Sequence, residues 1–474
     1  MIAILNIFLG LSMIAPLVVS LLYSDGSFLS LLYSFIITSG SGVVFFFILK
    51  TADCSALTQR ESMAIVTLSW ISAGFFGSLP FLFCGSIPDL TNAYFESISG
   101  FTTTGASILS DIESLPQGIL FWRSLTQWMG GMGIIVLSIA ILPFLGVGGM
   151  QLYKAEIPSP VVDKLQPRIS DTAKTLWKVY LLITVIEIVL LSLGGMPLFD
   201  SICHAFCTMP TGGFSTQNAS IAQYNSTYFE VVIIIFMLLA GINFSLHFKL
   251  LKGDFKVFGK DPECRVFLII VSILTLMVAF NIHGTIYKSI GHAFRFAAFQ
   301  VSSIITTTGF VTADYAQWPA LSQIILFSCM FIGAMAGSTG GAIKIMRIIL
   351  LVKQGYQGIF RLIHPHAVRP IKLGGKPVPA DVLNSIWGFF ILYIVLFFLA
   401  VVAVSANGLD VITSFSSVAA TIGNVGPGFG LVGPVTNYLS VPDPSKWVLI
   451  FCMILGRLEI YTVIIMLVPA YWRK

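Results

Sequence analysis

Phe101-Thr102-Thr103-Thr104-Gly105-Ala106 decides how this chain is read, because it comes back. Thr306-Thr307-Thr308-Gly309 repeats its centre in full, Thr211-Gly212-Gly213-Phe214 is a looser copy, and Asn424-Val425-Gly426 is the loosest. The glycines Gly105, Gly213, Gly309 and Gly426 are separated by 108, 96 and 117 residues, a rough period that predicts four tandem units. Each copy closes a semi-apolar run, at 91–101, 198–209, 289–305 and 410–421. Those runs are shorter than the roughly 20 residues a helix needs to cross a bilayer.

A short helix that ends in irregular backbone at membrane depth is tolerated only where that backbone is buried in protein or lines a water-filled cavity. A pore on a pseudo-fourfold axis can use four such segments at once. Glycine admits positive φ, so successive carbonyls can turn one way and a ring of oxygens can replace a cation's water shell. The threonines add hydroxyls and are expected to hold the neighbouring residues extended.

Four hexapeptides carry a resemblance: Phe101–Ala106, Pro210–Ser215, Ile305–Phe310 and Gly423-Asn424-Val425-Gly426-Pro427-Gly428. Together they resemble the four filter segments of the Trk/Ktr/HKT potassium transporters. With Gly337-Ser338-Thr339-Gly340-Gly341 and Gly456-Arg457-Leu458-Glu459, the pattern is most similar to the bacterial TrkH-type members. Six matches, in order and at domain-scale spacing, span nearly the whole chain. The resemblance implies an all-α polytopic membrane protein. Its four helix–pore helix–filter–helix repeats would surround one pore, with an extra N-terminal helical hairpin. It implies K+ as the transported ion, held by Thr103, Thr104, Gly105, Thr211, Gly212, Gly213, Thr307, Thr308, Gly309, Asn424, Val425 and Gly426. It also implies a homodimer seated on a cytoplasmic ring of nucleotide-binding TrkA-like subunits.

Composition agrees with a membrane protein. Hydrophobic residues make up 56% of the 474-residue chain and charged ones 10%, with a mean hydropathy of +0.91. The net charge of +5 does not point to nucleic acid, because the basic residues lie between apolar runs. Among the seven cysteines only Cys203 and Cys207 are close, and they read as apolar packing residues. Met1–Leu22 lacks the charged start and cleavage pattern of a secretory signal and is expected to stay as a membrane helix.

In order, spans are expected at 1–23 and 28–49, joined by Ser24-Asp25-Gly26-Ser27, then at 62–84, 118–146, 175–194, 228–251, 265–283, 320–352, 382–405 and 446–471. The units are a hairpin at 1–55 and pore repeats at 56–150, 151–253, 254–355 and 356–474. With the amino terminus cytoplasmic, all but five of the 26 lysines and arginines fall on the inside. The exceptions are Arg123, Lys288, Arg295, Lys446 and Arg457. By the positive-inside rule both termini are cytoplasmic, and the filters open to the other side.

Two spans look anomalous. The one at 320–352 is overlong, and its small residues allow two readings. Gly333, Gly337 and Gly341 could pack a continuous helix closely, or the helix could be broken by a flexible loop under the filter. The adjacent Gly340-Gly341 and the Ser-Thr polarity favour the loop, and the resemblance makes Gly337, Ser338, Thr339, Gly340 and Gly341 a gate. Arg457, near the middle of the last span, is expected either to face the pore and regulate cation exit or to pair with Glu187 or Glu459. Glu96, His204, Gln300 and Ser417 stand nine residues before their glycines and could tune cation entry or tie the short helices to their neighbours.

The resulting expectation is potassium uptake driven by an inside-negative potential, worth about 2.3 kcal/mol per charge per 100 mV. A sodium-selective or proton-coupled relative is the rival in the same class, and glycine at all four ring positions favours potassium. A membrane enzyme or assembly scaffold is the rival of another class. It would need clustered intramembrane His, Asp or Glu, and Gly337–Gly341 lacks the GxxxxGK[ST] pattern of a phosphate loop.

Overall fold

The computed structural model describes residues 1–49, 59–133, 169–366 and 370–472. An N-terminal hairpin pairs α1 (Ile2–Ser12) and α2 (Ile14–Tyr23) with α3 (Phe28–Ile48). Its turn is organised by Asp25, which accepts from Ser20 Oγ at 2.5 Å and Ser27 N at 2.9 Å. The same carboxylate accepts from Gly118 N at 2.6 Å and so pins the hairpin to the next unit.

The rest of the chain alternates long helices with short buried ones. α4 (Gln59–Cys84), α5 (Leu90–Phe101) and α6 (Gln117–Gly131) come first. α7 (Ile169–Leu193), α8 (Leu198–Thr208), α9 (Thr227–Gly241) and α10 (Phe244–Leu251) follow. Then come α11 (Pro262–Ile282), α12 (Ile290–Ile305), α13 (Ala320–Cys329) and α14 (Ile345–Ile363). The last set is α15 (Ala380–Ser405), α16 (Val411–Ile422), α17 (Asp443–Arg457) and α18 (Tyr461–Ile464). A two-stranded hairpin, Lys372–Leu373 with Lys376–Pro377, is the strand structure among the described residues.

The long helices carry exposed leucine, isoleucine, valine and phenylalanine, as a lipid-facing surface requires, whereas every residue of α5 from Ala93 to Phe101 is buried. Side-chain caps set where two of the four short helices begin. Asp89 accepts from Asn92 N at 2.8 Å at the head of α5, and Asp410 accepts from Thr413 N at 3.1 Å at the head of α16.

Six described helices are long and apolar enough to cross a membrane, or eight if each bent pair counts as one span. Of the ten expected spans, 118–146 is helical over Gln117–Gly131, and residues 134–146 lie outside the described ones. The boundary at 55/56 and that at 150/151 fall outside them as well, as do Lys50, Lys154, Lys164, Arg168, Arg369, Arg473 and Lys474.

Two spans expected to be continuous are not. α9 and α10 meet at 103°, and α17 and the helix after it meet at 114°. The first bend frees backbone groups that a continuous helix would satisfy. Gly241 O accepts from Met335 N, and Phe244 N donates to Gly337 O, both at 3.0 Å. Asn243 caps the new helix by accepting from Ser245 N at 2.8 Å. Hydropathy did not register the bend, because tertiary partners replace the lost helical bonds. At the second bend Glu459 and Ile460 take positive φ, and Ile460 N reaches back to Leu455 O at 2.9 Å.

Candidate functional site

The four short helices end alike. Thr104, Gly212, Thr308 and Val425 each donate their N–H to the carbonyl five residues back, those of Ser99, Cys207, Ser303 and Ala420, over 2.7–2.9 Å. The residue before each donor is left-handed: Thr103 at φ 54°, Thr211 at 59°, Thr307 at 60° and Asn424 at 52°. This is the Schellman ending, in which glycine ordinarily takes the left-handed place. A threonine there is strained by about 1–3 kcal/mol and persists only when its surroundings hold it. The expectation that the threonines keep this backbone extended is corrected accordingly: the helix-terminating bonds outweigh the β-branched preference.

Two residues further on, Gly105, Gly213, Gly309 and Gly426 also have positive φ, at 79°, 75°, 82° and 100°. Their surroundings close a circle. A Cβ on Gly105 would overlap Gly212 O, one on Gly213 would overlap Thr308 O, and one on Gly309 would overlap Val425 O. One on Gly426 would stand 2.6 Å from Thr104 O. Each segment therefore abuts the next in cyclic order, and the last returns to the first with no room for a side chain.

The backbone leaving each glycine is tied to its own short helix. Glu96 accepts from Ser107 Oγ at 3.0 Å and Ile108 N at 2.9 Å, His204 Nε2 bonds Ser215 Oγ at 3.1 Å, and Gln300 donates to Thr312 Oγ1 at 3.2 Å. In the fourth segment the residue is Ser416, which accepts from Phe429 N at 3.0 Å, while Ser417 donates to Ser414 O within its helix. Of the two roles considered, Glu96, His204 and Gln300 make tying contacts, and Ser417 does not. Arg123 joins two segments. It pairs with Glu96 at 2.7 Å, donates to Ser215 O at 2.9 Å and lies over the Phe214 ring at 3.7 Å.

Sequence reading passed over Gln127, whose Nε2 donates to Gly212 O at 2.7 Å and whose Oε1 accepts from Phe214 N at 3.1 Å. Its one signal was a polar residue inside an apolar helix. Asn424 also does more than its position announced. It donates to Thr104 Oγ1 at 2.9 Å and to Met453 O at 3.0 Å, joining the fourth segment to the first and to α17.

Between α13 and α14 the chain leaves the helix, so a continuous helix packed through Gly333, Gly337 and Gly341 is not what it adopts. The stretch lies against the glycine segments. Gly341 N donates to Thr307 Oγ1 at 2.7 Å, Thr339 Oγ1 donates to Met209 O at 3.0 Å, and a Cβ on Gly341 would overlap Gly423 O. Lys344 Nζ donates to Gly340 O. Ser338 Oγ turns back to Met335 O at 2.6 Å.

Arg457 ends α17 rather than standing in mid-helix. Its terminal nitrogens donate to carbonyls: Thr339 O and Gly131 O at 2.9 Å each, and Gly130 O. Glu459, one of the carboxylates expected to pair with it, turns to Arg347 instead. The bend between residues 457 and 461 sends the two side chains to different neighbours.

The profile of the family described as "TrkH: Cation transport protein" matches residues 34–474. The chain belongs to that family. A TrkH-family relative, the Trk system potassium uptake protein TrkH of Salmonella typhimurium, is 45% identical over 472 residues, covering 98% of this chain and 96% of its own. The Trk system potassium uptake protein TrkG of Escherichia coli is 39% identical over 470 residues. The crystal structure of the potassium transporter TrkH from Vibrio parahaemolyticus superposes with a TM-score of 0.89 at 41% identity, covering 99% of this chain and 98% of that one. Membership in TrkH makes this chain a multi-pass membrane transporter and not an enzyme. The helical membrane architecture expected from the sequence is the one observed, with one short two-stranded hairpin among the described residues.

Proposed function

We propose that this protein carries K+ into the cell through a pore whose filter is formed by Thr103–Gly105, Thr211–Gly213, Thr307–Gly309 and Asn424–Gly426. The observation that carries the reading is the cyclic abutment of the four glycines on the next segment's carbonyl. Alternating positive and negative φ along each segment suits a wall of backbone oxygens, which can replace the hydration shell of a cation. The relatives' printed function, potassium uptake, agrees with it. Four repeats, at 56–150, 151–253, 254–355 and 356–474, would surround one axis, with the hairpin at 1–55 outside it.

Below the filter, Gly337–Gly341 serves as the gate, and Arg457 holds it through Thr339 O. The protein lies in the inner membrane with both termini cytoplasmic and works as a homodimer. A TrkA-like nucleotide-binding ring docks on the basic stretches 154–178, 249–265 and 353–376. Residues 154–168 and 367–369 of these lie outside the described ones.

The test is ion flux in liposomes at a clamped potential, comparing potassium with sodium. Wild type is expected to prefer potassium, and Gly105→Ser to lose discrimination while staying folded. Equal discrimination in the two proteins would put the pore axis elsewhere. A potassium flux that collapses with the proton gradient at fixed potential would replace simple conduction by proton coupling.

A further inference from the structure

Glu263 opens α11 two residues after its capping Asp261 and turns its carboxylate away from its own helix. The residue is 7% exposed, and Oε1 alone accepts from Ala336 N at 2.9 Å and Met346 N at 3.0 Å. Those two amides bracket residues 337–345, Ala336 from within the stretch between α13 and α14 and Met346 from the start of α14. Nearby, the flanks pair with each other: Gly333 N donates to Ile343 O at 2.9 Å and Ile345 N to Ala334 O at 3.2 Å. Glu263 caps the point where this pairing ends. Met346 lies in the first turn of α14, whose N–H groups lack partners within the helix, so an anion there is held by hydrogen bond and helix dipole together.

We infer that Glu263 is a positioning residue of the gate, the latch that holds both flanks of residues 337–345 closed and ties them to the start of α11. This rests on the gate reading proposed above. α11 begins within the basic stretch 249–265, so a displacement of that stretch reaches both flanks through one atom. No other acidic side chain among the described residues accepts a hydrogen bond from either amide. Lys344, two residues before Met346, is turned to Gly340 O.

The experiment compares full-length Glu263→Ala, Glu263→Gln and a deletion within Gly337–Ala342 in liposomes. It reads basal potassium flux, the potassium-to-sodium ratio and thermal melting. Glu263→Ala is expected to raise basal flux about tenfold, equivalent to about 1.4 kcal/mol in the open–closed equilibrium, with the ion ratio unchanged. Glu263→Gln keeps an oxygen for both amides and is expected to stay near wild type. If the deletion raises flux and Glu263→Ala does not, the latch is wrong and the gate reading stands. If neither raises flux, the gate reading fails first. Should Glu263→Ala not fold, Glu263→Asp replaces it. One methylene shorter, it cannot span both amides and is expected to leak where Glu263→Gln does not. Equal flux from Asp and Gln overturns the inference.

Discussion

Replacing Arg457 by alanine separates a restraint from a charge barrier. The guanidinium donates to Thr339 O on the irregular segment and to Gly130 O and Gly131 O at the end of α6. A hydrogen bond made by a charged group is worth about 1.5–3 kcal/mol net. The bond to Thr339 joins Arg457 to the proposed gate. Its loss should shift opening by that amount, on the order of 10- to 100-fold in basal flux at 1.4 kcal/mol per decade. The bonds to Gly130 and Gly131 bear on stability instead, since two buried carbonyls are left without this donor, at about 1–3 kcal/mol each. Arg457→Ala should therefore leak potassium and melt earlier, with the ion ratio unchanged. Arg457→Lys decides between mechanisms. It keeps the charge, but its ammonium lacks the planar fork that serves several carbonyls at once. A restraint predicts intermediate leakage from the lysine variant, and pure repulsion predicts none. Wild-type flux in Arg457→Ala, measured in liposomes on protein with an unchanged melt, would refute both.

Three further outcomes follow from the geometry. Gly426→Ala places a Cβ 2.6 Å from Thr104 O at φ 100° and should lower potassium-over-sodium discrimination, whereas Gly259→Ala, with open space around it, should leave flux and ratio alone. Glu96→Ala leaves buried Arg123 without its carboxylate and should cost about 3–5 kcal/mol of stability, read as an earlier melt. Burial alone would raise the Asp25 carboxyl, but hydrogen bonds from Gly118 N, Ser20 and Ser27 outweigh it and hold the group below its ordinary 3.8. Its folded value is thus depressed, so its stabilising contribution is present above about pH 4 and is lost as pH falls through the folded value. Asp25→Asn should remove that part of the acid dependence in thermal melts taken across the window.

What the sequence determined by itself was local. Runs too short to cross a membrane, each closed by a glycine at a recurring distance, placed the four helix endings, because the ending of a helix is written in the few residues that make it. The extra length and paired glycines of 320–352 marked the break there for the same reason. Tertiary structure decided the rest. Among the left-handed threonines, which reverse their usual preference, Thr307 is also held from a distance, its Oγ1 accepting from Gly341 N. The bend at 241–244 looks like unbroken apolar helix in sequence, because the groups that satisfy its freed backbone come from Met335 and Gly337. Glu96 showed only that something polar was needed, and Gln127 and Glu263 went unread. Their partners lie 27, 85 and 73 residues away, and a pattern read along the chain carries no information about which distant backbone a buried polar group will meet.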